Sequence, residues 1–180
     1  MRNALINLVS NHTPIDGLEK SHTDNTLRFL NENNNCASAD NISGHVTASA
    51  WLLSPCQTKI LLTHHRKLDR WLQLGGHVET DATIQEAAVR EAAEESGISD
   101  MSLVDNAIFD IDVHLIPTRK NVLEHYHYDL RFLIQANSTG FTKSAESNDL
   151  AWFNLSEVRK LVSDESILRM CNKTAQMYPS

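Results

Sequence analysis

The sequence predicts an α+β protein arranged as a layered sandwich. Three observations lead there: several short apolar segments of strand character, one strong central helix over 83–96, and further helical patterning at both ends. Neither an internal repeat nor a regular βαβ alternation is visible. At 180 residues the chain is one domain with room for an appendage.

The elements follow in order. Residues 3–11 and 14–30 carry scattered apolar positions compatible with two short helices. The polar run Asn31-Glu32-Asn33-Asn34-Asn35 continues to Gly44 without periodicity and reads as a loop or linker. Strand candidates follow at 46–53, ending at Ser54-Pro55, at 59–63, and at 71–74 just before Gly75-Gly76. Over 83–96 the helix signal is unambiguous. Thr83-Ile84-Gln85-Glu86 has capping-box form, four alanines follow, and Gly97 supplies the stop. Residues 101–116 and 126–136 read as long strands and 149–153 as a short one. The chain ends in helical patterns at 155–162 and 165–177.

Composition narrows the function classes. Hydrophobic residues are 41% and charged residues 22%, ordinary values for a soluble globular protein. Sixteen Lys and Arg face 23 Asp and Glu, a net charge of -7. That disfavours a nucleic-acid polymer or an anionic membrane as partner. It leaves room for a small anionic substrate if a bound metal supplies the positive charge. Cys36, Cys56 and Cys171 are odd in number and form no CxxC pair, which suits a reducing cytoplasm. The N-terminal residues show no leader-like pattern, and no apolar run approaches the roughly 18 residues of a membrane span. A cytoplasmic location is the expectation.

The acidity is local. Residues 79–95 carry five of the seven net negative charges. On a helical wheel Ile84, Ala87, Ala88, Glu91 and Glu95 share one stripe, with Glu94 beside it. Two carboxylates ~5.5 Å apart repel by about 3 kcal/mol at an effective dielectric of 20. Three together call for a counter-charge, and a hard divalent cation with oxygen ligands, Mg²⁺ above all, fits best. The competing reading is a solvated acidic helix face. Arg90 has a routine reading too, as an i±4 ion pair with Glu86 and Glu94.

These residues carry a family resemblance. Gly76 to Ala82, followed by Arg90-Glu91-Ala92-Ala93-Glu94-Glu95-Ser96-Gly97-Ile98, resembles the Nudix box, G-x5-E-x7-R-E-U-x-E-E-x-G-U with U apolar. Gly76, Arg90, Glu91, Glu94, Glu95 and Gly97 match six of the seven fixed residues. At ~7% usage per residue type, that match arises by chance about once in ten thousand such chains. The first Glu of the pattern falls on Ala82, with Asp81 and Glu79 close by. Trp71 to Gly76 is similar to the strand and turn that lead into the box. Asp149-Leu150-Ala151-Trp152-Phe153 resembles the family's late acidic-x-x-Trp strand.

The resemblance implies a Nudix-fold α/β/α sandwich with a mixed sheet and additional N- and C-terminal helices. Residues 1–44 would be a helical extension and polar linker, and 45–180 the Nudix domain with its C-terminal helix. The implied activity is Mg²⁺-dependent hydrolysis of a pyrophosphate bond in a nucleoside-diphosphate-linked substrate, with Mn²⁺ as an alternative cofactor. By position, Glu91, Glu94, Glu95 and the Gly75 carbonyl would hold the metal, and Arg90 would orient the glutamates. The general base is Glu94 or an acid on a later loop, for which Glu146 is the candidate. The departure at Ala82 motivates the alternative, a weak or inactive Nudix-fold nucleotide-binding module. A homodimer is an open expectation, since members of the family are often dimers.

Other candidates are the nine histidines and the basic turn. His65 and Arg66, within His64 to Arg70, are placed to guide a polyphosphate, or to form a solvated turn. His77 follows the box glycine and joins the substrate candidates. In His125-Tyr126-His127-Tyr128 alternation points the histidines to one face and the tyrosines to the other. Tyr128, with Tyr126 and Trp152, is a candidate to stack a base; core packing is the competing role. A zinc site from His114, His125 and His127 is conceivable, but no evident fourth ligand completes it, and core or substrate contacts are favoured.

Overall fold

The computed structural model describes residues 1–118, 123–145 and 147–179. Helices α1 (Arg2–Ser10) and α2 (Gly17–Glu32) come first. Strands β1 (Gly44–Leu53), β2 (Lys59–His65), β3 (Arg70–Leu72) and β4 (Leu74–His77) lead to helix α3 (Ile84–Ser96). Then come β5 (Met101–Leu103), β6 (Asp110–Ile116), β7 (His125–Ala136), β8 (Ser147–Asn154), α4 (Leu155–Leu161) and α5 (Glu165–Met177). The expected α+β sandwich is what the chain forms.

Strand β1 organises the sheet. It runs parallel to β7 along its whole length, from Gly44 opposite Tyr126 to Leu53 opposite Gln135. Its other edge is shared by β4 over residues 47–50 and by β2 over 52–53, both antiparallel. β2 also pairs with β3 and β8, and β7 with β5 and β6. Every β1 residue is buried, as expected of a strand covered on both faces. Its even positions, Val46, Ala48, Ala50 and Leu52, join one core with Leu5, Val9, Phe29 and Leu30 from α1 and α2 and Ala87, Ala88 and Ala92 from α3. Trp51 and Leu53 face the other way, into a core closed by Val158 of α4 and Ile167, Met170 and Cys171 of α5. Trp51 Nε1 donates to Thr174 Oγ1 across that layer at 2.8 Å.

Two strand candidates divide differently from the sequence expectation. The third strand candidate is two strands, because the chain changes partner from β2 to β1 at Gln73, so Gly75-Gly76 lies inside β4 and not in a turn. The segment 101–116 is also two strands. Both pair with β7, but Asp105 Oδ1 accepts from Ala107 N at 3.0 Å and turns the chain between them. The polar loop after α2 is tied up by Asn41, whose amide donates to Asn33 and Asn35 while its oxygen accepts from Ser43. The three cysteines are unpaired. Among the described residues no helix is long and apolar enough to cross a membrane.

The remaining surface of the sheet on the α5 side is polar and buried. Arg131, 3% exposed, donates to Asp129 at 2.8 Å and Asp110 at 3.3 Å and pairs with Asp112 at 3.2 Å. Arg169 and Lys173 of α5 converge on Asp110, and Lys173 also reaches Glu19 of α2. Asp129 accepts from Thr47, Ser49 and Gln73 as well. Burial alone would raise Asp112, Asp129 and Glu19, but Arg131 holds Asp112 and Asp129 below their ordinary range, and His12 and Lys173 hold Glu19 at about 2. Burial and neighbouring imidazoles lower His45 to about 4 and His127 to about 3.

Arg131→Met leaves three aspartates facing one another without their shared cation, so it should destabilise by about 3–5 kcal/mol in urea unfolding. An unchanged midpoint and slope would show that the network contributes nothing. The pH dependence has a definite sign. Below pH 6.5 the unfolded chain takes up protons that His45 and His127 decline until about 4 and about 3, so stability falls as pH falls. Below 4.5 the loss steepens as Glu19 joins, its contribution ending near pH 2. Urea midpoints from pH 8 to pH 3 test both limbs; a flat profile from 6.5 to 4.5 contradicts the histidine part.

Candidate active site

The candidate site lies where α3 meets β4. The helix begins as the sequence predicts: Thr83 Oγ1 accepts from Glu86 N at 3.2 Å, and Glu86 Oε2 accepts from Thr83 N at 3.3 Å and Ala82 N at 3.0 Å. It ends at Gly97, whose left-handed φ of 69° suits glycine. Ala87, Ala88 and Ala92 are fully buried, and such small side chains let the helix approach the sheet closely. The approach is so close that a Cβ on Gly76 would lie 2.6–2.7 Å from the Glu91 carboxyl group. Gly75 adopts φ +154°, and a Cβ there would collide with Ser49 Oγ.

Hydrogen bonds tie the box side chains to one another and to β4. Glu95 Oε2 accepts the Gly75 N–H at 2.9 Å. Arg90 Nη1 donates to Glu91 Oε1 at 2.9 Å and to Glu94 Oε2 at 3.2 Å. Arg90 Nη2 donates to the His77 carbonyl at 2.8 Å, which ties the helix to the end of β4. The other edge of the guanidinium forms a two-pronged pair with Asp81, both contacts 3.0 Å. Asp81 heads the factors that hold Arg90 charged, and Arg90 in turn keeps Asp81 below its ordinary range. Burial raises Glu91 despite Arg90 beside it. The side chain of Glu94 is 61% exposed and that of Glu91 14%.

Asp81 is the residue the sequence reading undervalued. The box pattern has a Glu at position 82, and a carboxylate one residue earlier takes the Arg90 fork. The available signal was an acid next to a missing acid, but its aim depends on how the 78–83 loop turns.

The remaining candidates lie elsewhere. His65 Nδ1 accepts from Leu68 N at 3.2 Å and orders the basic turn. Arg66 is exposed and lines a depression with Lys143, Ser144 and Asn148. Glu146 lies outside the described residues. Tyr128 is not brought to the box: its ring stacks on Phe29 of α2, centroids 3.9 Å apart and planes 11° off parallel. Trp152 Nε1 donates to the Thr139 carbonyl. The His77 ring faces His45 and His127, centroids 4.9 and 5.5 Å away.

The donor set suits a hard divalent cation. It offers only oxygens: the Glu91, Glu94 and Glu95 carboxylates and the adjacent Gly75 carbonyl. One guanidinium serves Asp81, Glu91 and Glu94 together, so the cluster keeps an excess of negative charge.

Comparison with known proteins gives a consistent result. The sequence matches the NUDIX domain over residues 44–171. A NUDIX-family hydrolase from Clostridium perfringens superposes with a TM-score of 0.58 at 22% identity, covering 74% of this chain and 98% of that one. An Ap4A hydrolase from C. elegans, solved as a binary complex, gives 0.57 at 16% identity over 73% and 96%. The NUDIX domain of Shewanella oneidensis NrtR, complexed with ADP ribose, gives 0.55 at 15% identity over 83% and 96%. At these identities the likeness establishes the fold. No curated protein sequence matches the chain.

Proposed function

The chain belongs to the NUDIX family of pyrophosphohydrolases, and from that premise we propose that it hydrolyses a pyrophosphate bond in a nucleoside-diphosphate-linked substrate with Mg²⁺. The observation that carries this is the Arg90 hub. One guanidinium holds Asp81, Glu91, Glu94 and the His77 carbonyl, while Glu95 is tied to Gly75, so the carboxylates are set before any ligand arrives.

Glu91, Glu94, Glu95 and the Gly75 carbonyl would hold the cation, with Mn²⁺ able to substitute. When bound, a divalent cation binds the phosphate oxygens, offsets the charge developing on them and lowers the pKa of the attacking water. Arg90 fixes the orientation of Glu91 and Glu94 and screens their repulsion. Glu94, the most solvent-exposed of the three, accepts the proton of the attacking water at its carboxylate. Glu146, three residues after Lys143 in the sequence, is the rival base. Arg66 and Lys143 bring two cations to that loop, which suits a polyphosphate chain, and His65 supports the turn that carries Arg66. Residues 1–44 act as an extension that completes the core under Phe132 and Leu130. The fold and the charge pattern support a nucleotide substrate; Ap4A and ADP ribose, named with two structural neighbours, are the first compounds to try.

Asp81 speaks against the weak-module alternative, because it supplies the carboxylate that Arg90 would otherwise lack. With Mg²⁺ and a panel of ADP-ribose, dinucleoside polyphosphates, sugar nucleotides and nucleoside triphosphates, wild type should release a mononucleotide or phosphate from at least one compound. Glu94→Gln should lower kcat by about 10²–10⁴-fold. Wild-type inertness across the panel, with a nucleotide still binding, would replace hydrolysis by the binding-module reading. Asp81→Asn should lower kcat by roughly 10–100-fold with little change in KM. An unchanged kcat would show that the fork has no part in positioning.

A further inference from the structure

The face of the sheet opposite the carboxylates holds a second cluster. Strand pairing sets His114, His127 and His45 side by side across β6, β7 and β1. β4 adds His77, directly opposite Thr47 and so on the same face as His45. His125, two residues before His127, completes the row. Ring centroids of His45 lie 4.7 Å from His127, 4.9 Å from His77 and 5.0 Å from His125.

His45 is the informative member. It is 2% exposed, and neither ring nitrogen has a hydrogen-bond partner. Buried polar groups are normally hydrogen-bonded, so an imidazole with both nitrogens unsatisfied needs an explanation. Nitrogens of His45, His77 and His127 lie within 4.8 Å of one another. Around a zinc ion with ~2.0–2.1 Å bonds they would be ~3.4 Å apart, which modest side-chain rotation achieves. We propose that His45, His77 and His127 form a site for a divalent transition-metal ion of the zinc class, separate from the carboxylate site.

The chemistry separates the two sites. Three imidazoles with no carboxylate among them suit zinc, nickel or copper and do not suit Mg²⁺. Burial keeps His45 and His127 neutral, the form that ligates. The alternation of β4 keeps the sites on opposite faces: Gly76 meets Glu91 on one, and His77 meets His45 on the other. His77 is exposed, which gives the ion an entry path and leaves the fourth position to solvent. His127 Nε2 lies 3.2 Å from His125 Nε2, so binding exchanges that hydrogen bond for a metal bond or uses the other nitrogen. His114, paired with Asp112 at 3.0 Å, stands at the rim. The sequence reading considered His114, His125 and His127; the register brings in His45 and His77 from strands that reading could not pair.

The test uses full-length protein stripped with a chelator and kept in excess Mg²⁺. Zinc added alone should bind at one equivalent and raise the melting temperature. Cobalt should give the intense visible absorption of four-coordinate geometry, which an oxygen-ligated cobalt at the carboxylate site lacks. His77→Asn, at an exposed position, should melt like the apo wild type yet bind zinc about 100-fold more weakly or worse, without the cobalt band. His45→Asn should do the same, and Glu94→Gln should keep both. The proposal is overturned if wild type takes up no stoichiometric zinc, if the histidine variants bind it equally well, or if Glu94→Gln abolishes it.

Discussion

Helix α3 lies so close to β4 that no side chain fits at Gly76, and the placement of the box carboxylates follows from that contact. Three buried alanines set the distance between helix and sheet. At that distance Glu91 occupies the space a Cβ would need, Glu95 reaches the Gly75 N–H, and Arg90 spans from the helix to the His77 carbonyl. The like charges of Glu91 and Glu94 are thereby gathered around Arg90. Arg90 answers part of that charge, and a cation would answer the rest. Asp81 holds the far edge of Arg90, so the residue that departs from the family pattern, Ala82, has a neighbour in its place.

The other face of the sheet follows a different logic. Asp110, Asp112, Asp129 and Arg131 are buried together with Arg169, Lys173 and Glu19. These charges connect α2, β6, β7 and α5. A buried network of this kind gives little net stability over an apolar core, yet it is costly to break. It also leaves polar surroundings in which a row of histidines can sit beneath the rim.

The local parts of the structure were legible in the sequence. The Thr83 cap, the Gly97 stop and the spacing of Glu91, Glu94 and Glu95 need only helical geometry. What the sequence concealed depends on pairing. Gln73 looks like any strand residue until β3 and β4 are seen to have different partners. Asp110 and Arg131 are 21 residues apart in sequence, and nothing joins them until β6 pairs with β7. Tyr128 lies on a strand whose alternation is plain in the sequence, but its face is covered by Phe29 from a helix outside the resemblance. His45 carried no signal alone; its meaning comes from standing opposite His127.

The most direct test of the account is a crystal structure with Mn²⁺ and a nucleotide whose scissile oxygen is replaced by methylene, located by anomalous scattering. Manganese should lie against Glu91, Glu94, Glu95 and the Gly75 carbonyl, with the bridged phosphates touching it and Arg90 still paired to Asp81. Manganese absent from those carboxylates, with the phosphates bound elsewhere on the sheet, would contradict it.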